Sequence, residues 1–173
     1  MCMKDKIRSN IEKAAQVIID SFKKGGKLII CGNGGSAADA QHIAAELVGR
    51  FKKERKALPA IALTANTSIL TAIANDYGYD VVFKRQVEAL GKKGDVLLAI
   101  STSGNAKSVL EAVKLANKIG VVTIALTGGK GGELAKLAKL SIIAASSDTP
   151  SIQESHMVIY HILCELIENG YAR

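Results

Sequence analysis

The sequence predicts an α/β protein, a three-layer αβα sandwich around a five-stranded parallel sheet. Short apolar segments alternate with amphipathic helix patterns along the 173 residues. These segments are continuous aliphatic runs such as 95–100, which is typical of strands covered on both faces. Hydrophobic residues make up 48% of the chain with no Trp, so we expect an aliphatic core in one domain spanning 1–173.

The elements follow in alternating order, with right-handed crossovers expected between parallel strands. The predicted strands are 27–31, 60–63, 95–100, 121–126 and 140–144. The predicted helices are 4–24, 37–51, 68–75, 81–90, 106–119, 133–138 and 151–168. Helices 4–24 and 151–168 are the candidates for oligomer packing, since the last one is apolar on more than one side. Ligands of such a sheet gather at the carboxyl ends of the strands.

Composition argues against several classes of protein. No apolar run is long enough to span a membrane, and the start of the chain has no signal-like apolar stretch, so we expect a cytoplasmic protein. The three cysteines, Cys2, Cys31 and Cys164, show no CxxC spacing. A disulfide framework or a structural zinc cluster is therefore not expected, and Cys31 and Cys164 are interpreted as packing residues.

The net charge of +7 includes a basic segment at 50–56. A basic chain is compatible with nucleic acid or with anionic metabolites. The segment follows a predicted helix, whose carboxyl end favours cations, so we interpret it as a solvated helix end. Nucleic acid and membrane are not expected as partners.

Two polar loops each join a strand to a helix. Residues 32–36 (Gly-Asn-Gly-Gly-Ser) follow the first strand, and residues 101–105 (Ser-Thr-Ser-Gly-Asn) follow the third. Free N–H groups at the helix start and the hydroxyls of the second loop suit phosphate oxygens. Neither loop has the spacing of a dinucleotide fold or a P-loop. A tight connection without a ligand is the alternative for either loop alone.

Two helices carry pairs of side chains suited to proton transfer or metal binding. His42 and Glu46 are spaced i, i+4, and Gln153 and His161 are spaced i, i+8, so each pair lies roughly on one helical face. Beside phosphate-binding loops, they indicate acid–base chemistry on a sugar phosphate.

Each of these side chains also has a structural alternative. His42 and His161 could be hydrogen-bonded or core histidines. Glu46 could form a surface pair with Arg50 at i, i+4. His156 has a different register from His161, and we interpret it as structural or interfacial.

Taken together, segments 31–36, 41–47, 74–76, 100–105 and 152–156 resemble the SIS-domain sugar-phosphate isomerases, in particular the phosphoheptose isomerase family. The resemblance covers essentially the whole chain and implies a flavodoxin-like SIS domain. It implies an aldose–ketose isomerase that converts D-sedoheptulose 7-phosphate to D-glycero-D-manno-heptose 7-phosphate through an enediol, the first step of ADP- or GDP-heptose biosynthesis, which serves lipopolysaccharide. It also implies a homotetramer with active sites at subunit interfaces.

The resemblance further implies roles for individual residues. Glu46 and His161 match the catalytic pair. The matches to the ligands of a zinc ion are His42, Glu46, Gln153 and His161. The matches to substrate-binding positions are Asn33, Gly34, Gly35, Ser36, Glu46, Asn75, Asp76, Ser101, Thr102, Ser103 and Gln153. Two departures are a shorter N-terminal helical region and Ala106, which stands where a further serine often extends the phosphate loop.

Two relatives of the same fold give alternative functions. One is a non-catalytic SIS-domain tetramer that binds the replication initiator protein, and it lacks the catalytic residues at the positions of Glu46 and His161. This chain has both residues, which favours the enzyme. The other is a sugar-phosphate-sensing regulator, whose DNA-binding domain we do not expect in a chain that forms one domain.

Overall fold

A computed structural model describes residues 3–171 of the chain. The strands are β1 (Leu28–Cys31), β2 (Ala60–Ala62), β3 (Val96–Ser101), β4 (Val122–Gly128) and β5 (Leu140–Ala144). The α-helices are α1 (Met3–Lys23), α2 (Gly35–Val48), α3 (Thr67–Tyr77), α4 (Val82–Leu90), α5 (Lys107–Lys118), α6 (Gly132–Leu137) and α7 (Thr149–Tyr171). A single 3₁₀ turn, Tyr79–Val81, joins α3 to α4.

The five strands form one parallel sheet in the order β2-β1-β3-β4-β5. Alternate residues of β1 point to opposite faces, so Ile30 packs with α1, α2 and α7 while Ile29 packs with α4, α5 and α6. Helices therefore cover both faces, and the predicted αβα sandwich is confirmed.

The central strands carry the core that holds the site in place. All residues of β1 and of β3 are buried. Complete burial of one Leu or Ile side chain stabilises a fold by roughly 1.5–3 kcal/mol, so these two strands form a rigid base. The polar loops follow these two strands directly, so the start of each loop is held in place at the carboxyl edge of the sheet.

The predicted helix 37–51 is shorter and starts earlier than expected. The Gly49 N–H still bonds to the Ala45 carbonyl, but the Gly49 backbone leaves the helical region and α2 ends at Val48. The structural alternative in which Glu46 pairs with Arg50 is therefore wrong. Arg50 lies beyond the helix and its Nε approaches Glu54 at 4.0 Å, whereas Glu46 pairs with His42.

The last helix is longer than the predicted 151–168 at both ends. Its start is fixed by Asp148, whose carboxylate accepts hydrogen bonds from the Ser151 N–H at 3.1 Å and the Ser151 hydroxyl at 2.8 Å. This is the N-cap arrangement, and Pro150 fits the first turn because that turn needs no N–H from it.

Cys31 and Cys164 are buried free thiols, as expected of packing residues. Burial raises the pKa of Cys31 to about 12. The pKa of Cys164 is also raised to about 12, mainly by burial. Cys2 lies outside the described residues. Between residues 3 and 171, no helix combines the length and the apolarity needed to cross a membrane.

Candidate active site

The two polar loops meet at the carboxyl edge of the sheet. They follow β1 and β3, which are neighbours in the sheet although β2 lies between them in the chain. At this switch point the helices after the two strands, α2 and α5, lie on opposite faces, so their amino ends converge on one space. A cavity of about 150 Å³ lies there, lined by Asn33, Ser36, Ile100, Ser101, Thr102, Ser103 and Ala106.

The hydroxyl loop is held in a tight turn by its own backbone. The Gly104 N–H donates to the carbonyl and to the hydroxyl of Ser101, both at 3.1 Å. The Gly128 N–H donates to the Thr102 carbonyl at 3.1 Å, which ties the loop to the end of β4. Gly104 has a φ of +68°, a backbone conformation that a side chain disfavours. The turn places the hydroxyl loop along the wall of the cavity, beside the start of α5.

The glycine loop is joined to α5 by side chains. The Asn33 amide donates to the Ser108 hydroxyl at 3.0 Å, and the Tyr79 hydroxyl donates to the Asn33 oxygen at 2.9 Å. Gly34 takes a φ of +56° at the start of α2. Gly35 leaves room for Gln153, because a Cβ on Gly35 would lie 3.0 Å from the Gln153 amide oxygen.

A second group of polar residues lies on facing parts of α2 and α7. The His42 Nε2 and the Glu46 Oε1 are 3.0 Å apart, and the rings of His42 and His161 are 5.1 Å apart. One ligand atom from each of His42, Glu46 and His161 lies within 4.8 Å of the others. Two imidazole nitrogens and one carboxylate oxygen are ordinary zinc donors, so this cluster fits the expected metal.

The cluster is held from behind by Tyr160 and Asp39. The Tyr160 oxygen lies 3.0 Å from His42 Nδ1, and Tyr160 also hydrogen-bonds to Asp39. Burial, together with the charge of Asp39, raises the pKa of Tyr160 to about 12, so the phenol keeps its single hydrogen. Burial also raises the pKa of Asp39, although its hydrogen bond from Gln153 opposes this.

The hydrogen bonds of this group are compatible with two arrangements of the protons. The Tyr160 hydroxyl donates its one hydrogen either to Asp39 or to the His42 Nδ1. The His42 Nε2 and the Glu46 carboxylate are 3.0 Å apart, a distance at which either a proton or a metal ion can join them.

The sequence-predicted residues thus fall into three groups. The first surrounds the cavity or forms its glycine turn, and consists of Asn33, Gly34, Gly35, Ser36, Ser101, Thr102 and Ser103. The second is the cluster of His42, Glu46 and His161. Gln153 contacts Gly35 and Asp39 and so lies beside both groups. Its role as a metal ligand stays a prediction.

Asn75 and Asp76 form the third group, away from the cavity. They lie on the exposed helix α3, where the Asn75 amide donates to the Asp76 carboxylate at 2.9 Å, and neither lines the cavity. Their substrate contacts stay a prediction. His156 is fully buried within the chain, which agrees with a structural role, and burial lowers its pKa.

Sequence reasoning missed several residues of this region. Asp39 could have been found, because it lies at i, i−3 from His42 on the same helix face. Tyr160 and Ser108 gave no signal, since a tyrosine in an apolar helix and a serine in a first turn are common. Phe51 is the last residue of the predicted helix 37–51, whereas α2 ends three residues earlier, at Val48.

Comparison with known proteins agrees with this geometry. A family model described as SIS domain matches residues 2–128. The phosphoheptose isomerase of Aliarcobacter butzleri is 55% identical over 159 residues, covering 92% of this chain and 84% of the relative. The phosphoheptose isomerase of Citrifermentans bemidjiense is 58% identical over 158 residues, covering 91% and 82%. The chain belongs to the phosphoheptose isomerase family.

Solved structures give the same family and fold. The phosphoheptose isomerase from Neisseria gonorrhoeae superposes with a TM-score of 0.90 at 45% identity, covering 96% of this chain and 89% of that one. The phosphoheptose isomerase from Francisella tularensis also gives 0.90, at 40% identity, covering 93% and 86%. As a member of the phosphoheptose isomerase family, the chain is an isomerase with the SIS fold.

Proposed function

We propose that this isomerase converts D-sedoheptulose 7-phosphate to D-glycero-D-manno-heptose 7-phosphate, the first step toward nucleotide-activated heptose for lipopolysaccharide. One observation carries the proposal: a cluster of a carboxylate and two imidazoles next to a cavity lined by hydroxyls at two helix starts. Relatives that are more than half identical and carry the name phosphoheptose isomerase support it.

The phosphate group would bind in the cavity between the two loops. The hydroxyls of Ser101, Thr102 and Ser103 and the free N–H groups at the start of α5 offer donors to its oxygens. Ala106 is the last residue before α5 and offers no side-chain bond. A neutral donor is absent there, so the remaining hydroxyls and backbone groups carry the binding.

The protons would be moved by Glu46 and His161. Glu46 removes a proton from C1 of the ketose while the C2 oxygen gains one, which gives the enediol. A proton then adds to C2 and the C1 oxygen loses its own, which gives the aldose. In this proposal Glu46 acts at the carbons and His161 at the oxygens. Carboxylates and imidazoles are both common proton-transfer groups in enzymes.

Zinc is the proposed metal, with His42, Glu46 and His161 as ligands and Gln153 as the fourth. When bound, it would polarise the substrate carbonyl and stabilise negative charge on the oxygens. Tyr160 and Asp39 orient the His42 ring toward the cluster whether or not the ion is present.

We further propose a homotetramer of single-domain subunits with active sites between them. The outer face of α7 supports this, since Met157, Val158 and Ile162 are exposed apolar side chains on a helix that also carries His161. Helix α1 packs along α7 and would take part in the same assembly.

The test is isomerisation of D-sedoheptulose 7-phosphate in deuterated water, with and without zinc, followed by NMR. Glu46→Gln and His161→Ala should lose product, while Glu54→Gln, an exposed carboxylate beyond α2, should keep wild-type turnover. Deuterium at C2 of the aldose would support the enediol route. Absence of product from folded wild type in both conditions would refute the proposal and favour a non-catalytic SIS-domain binding protein.

A further inference from the structure

A buried ion pair joins the ends of the two helices that carry the cluster. Arg55 and Glu168, which we call the clasp, have side chains that are 5% and 1% exposed. Arg55 Nε lies 3.3 Å from Glu168 Oε1. We propose that the clasp and Phe51 are positioning residues, which fix Glu46 and His161 relative to each other. The inference rests on the proposed function for its kinetic test only.

Arg55 holds the carboxyl end of α2. Its guanidinium donates to the carbonyls of Glu46 at 2.8 Å, Leu47 at 2.8 Å and Gly49 at 3.1 Å. These are carbonyls that the end of a helix leaves without helical partners, and a cation there also favours the helix dipole. One of them belongs to Glu46 itself. The position of that residue's backbone is therefore set by Arg55.

Glu168 holds the loop that follows α2. Its carboxylate accepts three backbone hydrogen bonds, from the N–H groups of Phe51 at 3.1 Å, Lys52 at 2.9 Å and Lys53 at 2.9 Å. Glu168 lies on α7, two turns after His161. The loop is therefore fixed to the helix that carries His161 by three bonds to one buried carboxylate.

Phe51 connects this loop to the His161 ring. The two rings are stacked, with centroids 5.6 Å apart and an angle of 23° between their planes. The Phe51 N–H is one of the three N–H groups that donate to Glu168, so the residue that carries the stacked ring is itself hydrogen-bonded to the clasp. For the His161 imidazole to turn out of this stack, the Phe51 ring would have to move, or the loop that carries Phe51 would have to separate from α7.

A purely stabilising role would not require an ion pair. Removal of two charges from water is costly, and well-packed apolar residues often stabilise a fold as much as a buried ion pair or more. What the clasp adds is a defined geometry. Arg55 and Glu168 make six hydrogen bonds to the backbone of residues 46–53, at the end of α2 and in the loop that follows it, and Glu168 itself lies on α7. An error on the order of 1 Å in a catalytic group can cost about 100-fold in rate.

The first experiment replaces the stacked ring by an aliphatic side chain, Phe51→Leu, with Phe22→Leu as the matched control. Phe22 makes an edge contact with Tyr171 and lines no part of the cavity. We expect kcat of Phe51→Leu to fall about 10- to 100-fold with KM nearly unchanged. We also expect the imidazole NMR signals of His161 to shift in Phe51→Leu and to stay in place in Phe22→Leu.

The second experiment removes the charge of the clasp, Glu168→Gln, with Glu165→Gln as control. Glu165 makes an exposed ion pair at 3.0 Å with Lys52 of the same loop, so the control loses a charge but none of the three backbone bonds. The His161 signals should shift in Glu168→Gln and not in Glu165→Gln. If Glu168→Gln does not fold, Phe51→Leu decides alone.

Wild-type kcat and wild-type His161 signals in folded Phe51→Leu would overturn the inference. Equal kinetic losses in Phe51→Leu and Phe22→Leu would overturn it as well, since they would indicate a general packing effect. If the wild type forms no aldose phosphate, the proposed function fails, and the imidazole signals of the variants still decide whether Phe51 and the clasp position His161.

Discussion

Gly104 of the hydroxyl loop provides a sharp test of how the loop is built. It has a φ of +68°, and a Cβ at this position would lie 2.1 Å from the Gly131 carbonyl oxygen and 2.9 Å from the Thr127 hydroxyl. Gly25, at the end of α1, has a φ of +77° and nothing within 4 Å of its Cβ position. The two glycines therefore share a positive φ, which would strain any residue with a side chain, and differ in the space around them.

Gly25→Ala should introduce only the backbone strain of a side chain at positive φ, which should lower the free energy of unfolding by about 1–2 kcal/mol. Gly104→Ala should lower the free energy of unfolding by that amount and by roughly 1–3 kcal/mol more, because the Gly131 carbonyl oxygen must move to admit the methyl group. The same movement displaces the hydroxyl loop, so KM for the phosphorylated substrate should rise in Gly104→Ala only.

Urea unfolding at constant m-value gives the two free energies, and initial rates give KM. Equal destabilisation by the two substitutions would refute the steric argument. An unchanged KM in a destabilised Gly104→Ala would show that the loop does not depend on this turn for its position.

Three further predictions concern the clasp, the cluster and the hydroxyl loop. Burial raises the pKa of Glu168, but the N–H groups of the loop and Arg55 outweigh this and hold the pKa below its ordinary 4.5. Its contribution is therefore present above pH 4.5 and lost as pH falls through the lower folded-state value. Glu168→Gln should be about 3 kcal/mol less stable than wild type at pH 7, and this gap should narrow in unfolding curves measured below pH 4.5. Tyr160→Phe removes the hydroxyl behind His42, so zinc affinity measured by chelator competition should fall about 10- to 100-fold without a change in the circular dichroism spectrum. Ser103→Ala removes one donor from the cavity, so KM should rise roughly 10-fold while kcat is kept.

The sheet and its loops could be predicted from the sequence because their signals are local. Each strand is a short aliphatic run, and each polar loop follows one directly, so strand order was the only unknown. The pairing of His42 with Glu46 was also within reach, since four residues of helix fix it.

The parts that could not be predicted depend on contacts between distant segments. Helix α2 ends at Val48, where the Gly49 backbone leaves the helical region, and the N–H groups of residues 51–53 bond to Glu168, more than a hundred residues later. Gly49 is a local signal for the end of a helix, but no pattern near residue 51 indicates the bonds to Glu168. The link of Asn33 to Ser108 and Tyr79 is of the same kind, since it joins two loops and a 3₁₀ turn.

The buried thiol directly before the glycine loop has a consequence for chemical modification. Burial raises the pKa of this thiol, Cys31, to about 12, so almost no Cys31 side chain is a thiolate at pH 7. The thiolate is the nucleophile that reacts with alkylating agents and peroxides. Because Cys31 is buried and its thiol is not ionised, we expect covalent inhibitors aimed at Cys31 to fail on the folded protein. Reactive compounds should instead be directed at the imidazoles and carboxylate of the cluster.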